Sequence, residues 1–290
     1  MDRAKRLENA LRDLESAGRI GAEEVQYLLE VMQQEDSIEQ FFSELLSGHL
    51  RADENEAVRR AKKLELPLDT KWIVYHIQTD YPEEARELLG QIYSDPKEAV
   101  FPEGGTGMLR LVHMASGKKV MQQAKETAEQ IVSMINTELM EKVYVGYSDA
   151  CEASALQTAD TQAAIALEIL RTFYEERLEA GYSSLGIGRL VYSIRREDCE
   201  AFLEEYFGAD RKLSLTEEEL QTVNKFFEKN LNISETARDL FMHRNTLVYH
   251  LEKLQKKTGL DIRRFDDAMT LKIALMVERF LGKNAFLPSL

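Results

Sequence analysis

Cysteine is nearly absent from this 290-residue chain: Cys151 and Cys199 stand 48 positions apart, with no histidine near either in sequence. A pair so placed suggests neither a disulfide framework nor a zinc site. Long apolar runs are missing too, and nothing approaches the roughly 20 residues of a membrane-crossing helix. The opening MDRAKRLENALRDLES alternates charge with leucine and has no apolar signal core, so secretion is not expected and the cytoplasm is. Histidine is sparse, and His49, His76 and His113 are scattered, with no Ser/His/Asp or His/carboxylate cluster in sequence. Neither a catalytic residue, a metal nor a cofactor is expected. Positive charge is also short. Lysine and arginine number 37 against 51 acids, a formal net charge of −14 and a pI near 5.0. Such a balance excludes a surface that is basic throughout, although phosphate binding needs positive charge only where the backbone is touched.

What positive charge there is gathers near the C-terminus. From Arg238 to Arg264 there are seven cations (Arg238, Arg244, Lys253, Lys256, Lys257, Arg263, Arg264) and three anions (Asp239, Glu252, Asp261). That local +4 leaves the rest of the chain at −18. Charge alone favours a solvated surface; the sequence around it does not. ISETARDLFMHRNTLVYHLEKLQKKTGLD, from Ile233 to Asp261, reads as a short helix, a tight turn and a longer helix. Leu247, Leu251 and Leu254 fall at i, i+4, i+7 and form a seam against Ala237 and Leu240. Arg244, Asn245, Thr246, Tyr249, His250 and Lys253 are then left outside. A helix-turn-helix sets the first turn of its second helix against base edges. Arginine can fork onto guanine and asparagine onto adenine, while Thr246 can take a thymine methyl or a phosphate. Lys253, Lys256 and Lys257 suit backbone phosphates. Ser234 is the expected N-cap of the first helix, whose N-terminus can also hold a phosphate. The plainer alternative is that Asn245 or Thr246 merely caps the second helix, and that His250 is a packing or surface histidine.

The length and composition suit a soluble globular protein of two domains plus an extension. The first 66 residues read as helical. Leu7, Leu11 and Leu14 share one face; Val25, Leu28, Leu29 and Met32 share another; Ile38, Phe41, Phe42, Leu45 and Leu46 mark a third segment that Gly48 stops. Leu66-Pro67 marks a break. KWIVYHIQ (71–78) reads as a strand. A helix over 82–93 follows, then short strands near 99–101 and 108–114 joined by Glu103-Gly104-Gly105-Thr106-Gly107. A helix over 118–140 and a strand over 142–148 complete a β-α-β-β-α-β order. That order predicts an α+β, ferredoxin-like antiparallel sheet with helices on one face. Helices over 153–178 and 197–207 should close this domain at about residue 208. From 209 to 290 the pattern is helical throughout, opening with the Thr216/Glu219 capping-box spacing and with Gly259 as a left-handed helix stop. DDAMTLKIALMVERFL then supplies Met269, Ile273, Leu275, Met276, Phe280 and Leu281 as apolar cover.

The C-terminal segment resembles the DNA-binding domain of the PucR/CdaR-type regulators of purine catabolism and sugar diacids. Ala237, Leu240, His243, Asn245-Thr246-Leu247, Tyr249, Leu251 and Thr258-Gly259-Leu260-Asp261 match that signature. Thr236 replaces its first alanine. Relatives often carry arginine where Val248 and His250 stand, so base preference does not transfer. FFSELLSGHL, the strand near residue 72 and YSSLGIGRLVYSI (182–194) are similar to the degenerate GGDEF-like domain of the same family. An active cyclase of that kind needs carboxylates at its hairpin to hold Mg²⁺. Here no acid follows the glycines, and Glu103 lies before them. The resemblance therefore implies a scaffold or sensor, not a catalyst.

Three functions compete. The leading expectation is a sequence-specific regulator binding double-stranded DNA at an inverted repeat, as a homodimer or higher assembly, with a possible small-molecule effector. A nucleotide-binding or signalling enzyme centred on the middle domain is the second. EGGTG lies between strands, however, and lacks the helix-opening context of a phosphate loop. The third is a protein-interaction module whose basic helix meets an acidic partner.

Overall fold

The computed structural model describes residues 3–52, 55–102, 108–174, 177–208 and 215–284, with backbone alone for 3–9, 29–37 and 283–284. The Glu103–Gly107 connection lies outside the described residues. The chain forms two compact units, Met1–Leu185 and Gly186–Leu290.

The first unit begins with helices α1 (Arg3–Ser16), α2 (Ala22–Ser47) and α3 (Asn55–Lys63). Val25 and Ile38 lie on one 26-residue helix, α2, where the apolar spacing suggested two separate segments. Gly48 does end it, in the left-handed region at φ 75, a conformation that glycine takes without a Cβ clash. There follow β1 (Lys71–Gln78), α4 (Pro82–Gly90), β2 (Ala99–Val100), β3 (Met108–Ala115), α5 (Val120–Glu138), β4 (Tyr144–Tyr147), α6 (Leu156–Phe173) and β5 (Glu179–Gly181). The sheet order is β2-β3-β1-β4-β5. β1 pairs antiparallel with β3 and β4, and β2 with β3. β5 joins β4 in parallel, so the sheet is mixed and the fold α+β.

Helices cover both faces of this sheet, not one. Trp72 and Val74 of β1, Val100 and Val112 pack with Phe41, Phe42 and Leu45 of α2, Ala57 and Ala61 of α3, and Leu156, Ala159 and Ala163 of α6. Ile73, Tyr75 and Ile77 pack on the other side with Ala85 and Leu89 of α4 and Ala124, Ala128, Ile131 and Ile135 of α5. β1 is therefore buried from Trp72 to Ile77 without alternation, as a strand covered on both faces should be. The one-face expectation leaves out α2 and α3, which the sequence pattern sets apart as an extension but which roof the second face together with α6.

α6 lies close against β4, and Gly146 is the reason. A Cβ built there would stand 2.3 Å from the backbone N of Leu167 and 2.6 Å from the carbonyl of Ala163. Opposite Gly146 in the register is His76, 2% exposed, whose Nε2 lies 2.7 Å from Asp160 Oδ1 on α6. Arg110, the neighbour of His76 on β3, brings Nε to 3.4 Å from the same oxygen.

The second unit holds α7 (Ile187–Tyr192), α8 (Arg196–Phe207), α9 (Glu217–Glu228), α10 (Ile233–Asp239), α11 (Arg244–Thr258) and α12 (Phe265–Asn284). α7 and α8 pack against α12, and Tyr192 meets Phe280 edge to face at 5.7 Å. α7 and α8 thus lie in the second unit, whereas the helical pattern of the sequence places them ahead of a boundary at 208/209. α12 buries Leu271, Ala274, Leu275, Met276, Val277 and Phe280, while Met269, Ile273 and Leu281 are half-buried.

Gly146→Ala should lower stability by about 3 kcal/mol, because the new methyl meets helix backbone that cannot give way. Denaturant unfolding of the full chain measures this; an unchanged midpoint would show that α6 can shift outward.

Candidate nucleic-acid interface

α9, α10 and α11 are each started by a side-chain cap. Thr216 Oγ1 accepts from Glu219 N at 3.2 Å, and the Glu219 carboxylate accepts from Thr216 N at 2.9 Å. This reciprocal pair is the one expected from the sequence. α10 is capped by Asn232, whose Oδ1 accepts from Ser234 N at 3.0 Å and Glu235 N at 3.2 Å. Ser234 is therefore not the cap but an exposed residue inside the first turn. At α11 the cap is His243, whose Nδ1 accepts from Asn245 N at 3.2 Å. That role requires the ring proton on Nε2. It also frees Asn245 and Thr246 from the capping duty that was their plainest explanation, and both side chains are exposed.

α10 ends in a tight turn. Phe241 N donates to Arg238 O at 3.1 Å and Met242 N to Ala237 O at 2.9 Å, the paired closure typical of a helix C-terminus. α10 packs against α11. Leu247, Leu251, Leu254 and Thr258 are buried along α11, and Thr236 and Ala237 along α10. The expected leucine seam is present, with Leu240 half-buried beside it.

With that seam inward, Arg244, Asn245, Thr246, Tyr249, Lys253 and Lys256 are exposed, and His250 is half-buried. Ion pairs then divide the cations. Lys257 Nζ lies 2.6 Å from Glu219 Oε2, and Lys253 Nζ lies 3.9 Å from Oε1 of the same carboxylate. His250 Nδ1 is 4.0 Å from Glu218. One flank of α11 thus faces the acidic first turn of α9, and Lys257 is committed there. Arg263 is bound by both oxygens of Asp261 at 2.7 and 2.9 Å and by Gln255 at 3.1 Å. Arg244 and Lys256 make no ion pair among the described residues.

Two carboxylates have their affinity for protons lowered. Burial pushes Glu219 up, but the hydrogen bonds from Lys257 and from Thr216 N outweigh it. At Asp261 the Arg263 guanidinium dominates. Elsewhere the scattered histidines stay apart. His49 pairs with Ser47, His76 with Asp160, and His113 meets the Tyr93 ring. Among the described residues no group of three or more His, Cys, Asp or Glu could hold a metal.

A short capped helix, a closed turn and a longer helix with a buried seam and a polar outer first turn define a helix-turn-helix DNA-binding domain. Residues 220–277 match the family model of the PucR C-terminal helix-turn-helix domain, so this segment is of the PucR/CdaR type. The chain is 24% identical over 263 residues to the purine catabolism regulatory protein of Bacillus subtilis (strain 168), covering 84% of this chain and 49% of that one. It is 40% identical over 58 residues to the carbohydrate diacid regulator of Escherichia coli (strain K12), covering 20% and 15%. It is 30% identical over 122 residues to the proline-responsive transcriptional activator PutR of Bacillus subtilis (strain 168), covering 39% and 29%. The chain thus spans about half the length of the first of these relatives and less of the others. No helix among the described residues is long and apolar enough to cross a membrane.

Because Glu219 and Asp261 bind protons less readily when folded, their contribution is complete above the ordinary carboxylate values of 4.5 and 3.8 and is lost as pH falls through and below them. The thermal midpoint of the C-terminal helices should therefore hold near neutrality and drop on acidification. Glu219→Gln should cost about 1 kcal/mol at pH 7 and reduce the acid-dependent loss. A variant that keeps the full acid response would show that Glu219 is not its source.

Proposed function

We propose that this chain is a sequence-specific, double-stranded-DNA-binding transcriptional regulator acting at its operator through α11. The observation that carries this reading is the geometry of the first turn of α11: His243 takes the cap, and Arg244, Asn245 and Thr246 stand exposed in front of it. In their assigned roles Arg244 and Asn245 read base edges, with Thr246, Tyr249 and His250 beside them. Lys253 and Lys256, and Ser234 at the start of α10, meet phosphates. Lys257 reaches a phosphate only by leaving Glu219.

One such helix covers few base pairs, so the proposal includes a homodimer, or a higher assembly, on an inverted repeat with half-sites about 34 Å apart. The N-terminal helices and the sheet domain are the candidate dimer surfaces. We infer a catabolic operon and a small-molecule effector from the names of the relatives, two of which are called a catabolism regulator and a proline-responsive activator. The strand order β4-β1-β3-β2 with its intervening helices supports reading the sheet domain as ferredoxin-like and degenerate GGDEF-like, a sensor or scaffold in the cytoplasm without enzymatic turnover. A GTP and Mg²⁺ assay that yields product would overturn that last part.

Fragments selected from random or genomic DNA give the operator. Arg244→Ala and Asn245→Ala should each cost about 1–3 kcal/mol at one base position and relax the preference there. Lys256→Ala should weaken all sequences alike and reduce the salt slope by about one unit. If no motif is selected, and Lys256→Ala and Lys257→Ala abolish binding to an acidic protein that Arg244→Ala and Asn245→Ala leave intact, an acidic partner replaces DNA as the ligand. In sedimentation, a monomer that binds one operator tightly would sink the dimer.

A further inference from the structure

Phe241 is 98% exposed and holds its backbone at φ 53. It is the residue that closes α10, at the position where helices most often place glycine because a side chain is penalised there. Its neighbours Leu240 and Met242 are half-buried, so the turn sends those two inward and leaves the ring in water. Three residues later stands Arg244, the first residue of α11. A single apolar side chain on a surface is ordinary. Here an unfavourable backbone conformation and an unburied aromatic ring coincide at one position, beside the side chains assigned to base reading. The major groove presents one apolar group, the C5-methyl of thymine, and phenylalanine is among the side chains that contact it.

We propose that Phe241 is a further specificity-determining residue, packing its ring against a thymine methyl at the rim of the major groove, next to the bases read by Arg244 and Asn245. This rests on the DNA-reading role of α11 proposed above. The two hydrogen bonds that close the turn hold the Phe241 backbone in place before binding, which reduces the ordering needed on contact. The contact carries no charge, so it adds to base selection without adding to the salt dependence.

The test uses the full chain and its Phe241→Gly and Phe241→Ala variants, each selecting from random-sequence duplexes. Wild type should return a motif with a thymine flanking the bases read by α11. Phe241→Gly should unfold at the same temperature or higher, since glycine accepts the conformation freely. It should bind the selected duplex on the order of tenfold more weakly, with an unchanged salt slope and without the thymine in its motif. Phe241→Ala keeps the strained turn and loses the ring, and should bind as weakly as the glycine variant. Replacing that thymine by deoxyuridine removes only the methyl. Wild type should then lose about fourfold and Phe241→Gly nothing. Equal motifs and affinities for wild type and Phe241→Gly, or equal binding of thymine and uridine duplexes by wild type, would overturn the assignment while leaving the role of α11 intact. A wild-type chain that selects no motif, with Arg244→Ala equally indifferent, removes the DNA-reading role itself and Phe241 with it.

Discussion

The rotation of α11 about its own axis is fixed by burial of Leu247, Leu251, Leu254 and Thr258, and every statement about the surface of the domain follows from that rotation. At 100° per residue the buried stripe lies opposite Asn245, Tyr249 and Lys256, and to one side of it His250, Lys253 and Lys257 turn toward α9. The apolar seam thus decides which polar groups are offered outward, before any of them meets a ligand. Fully burying three leucines contributes roughly 1.5–3 kcal/mol each, far more than any exposed ion pair. A sequence in which the seam slipped by one position would keep its composition and lose its surface.

The elements of the fold were legible where local physics decided them. Lys71–Gln78 is dense in β-branched and aromatic residues, and the strand has those bounds. Thr216 and Glu219 carry the capping-box spacing, and both of its hydrogen bonds form. The missed features depend on tertiary contact. Glu179–Gly181 has no β-branched residue and becomes a strand only because β4 offers a free edge. The continuity of α2 and the second roof over the sheet were hidden for the same reason: the apolar faces of α2 and α3 announce a partner without saying which.

The site divides in a similar way. The leucine seam and the exposure of Arg244, Asn245 and Tyr249 could be read from periodicity. The capping residues are legible only in part. Asn232 stands three residues before Glu235, the same spacing as Thr216 to Glu219, and asparagine is as good a cap as serine. His243 gave no comparable signal, because histidine is not a usual cap and only its ring position shows the bond. The pairing of Lys257 with Glu219 spans 38 residues and was invisible to any local pattern.

If α11 reads DNA as proposed, that pairing bears on how the domain would meet generic duplex. A lysine already neutralised by a neighbouring carboxylate displaces fewer condensed ions when it approaches a phosphate, so it adds little to sequence-blind attraction. On the proposed reading of α11, internal neutralisation of Lys257 by Glu219, and of Arg263 by Asp261, would lower the sequence-blind part of the attraction, while Arg244 and Asn245 remain exposed for base selection. In that role the acidic turn of α9 would temper attraction to irrelevant duplex through charges that touch only the protein itself.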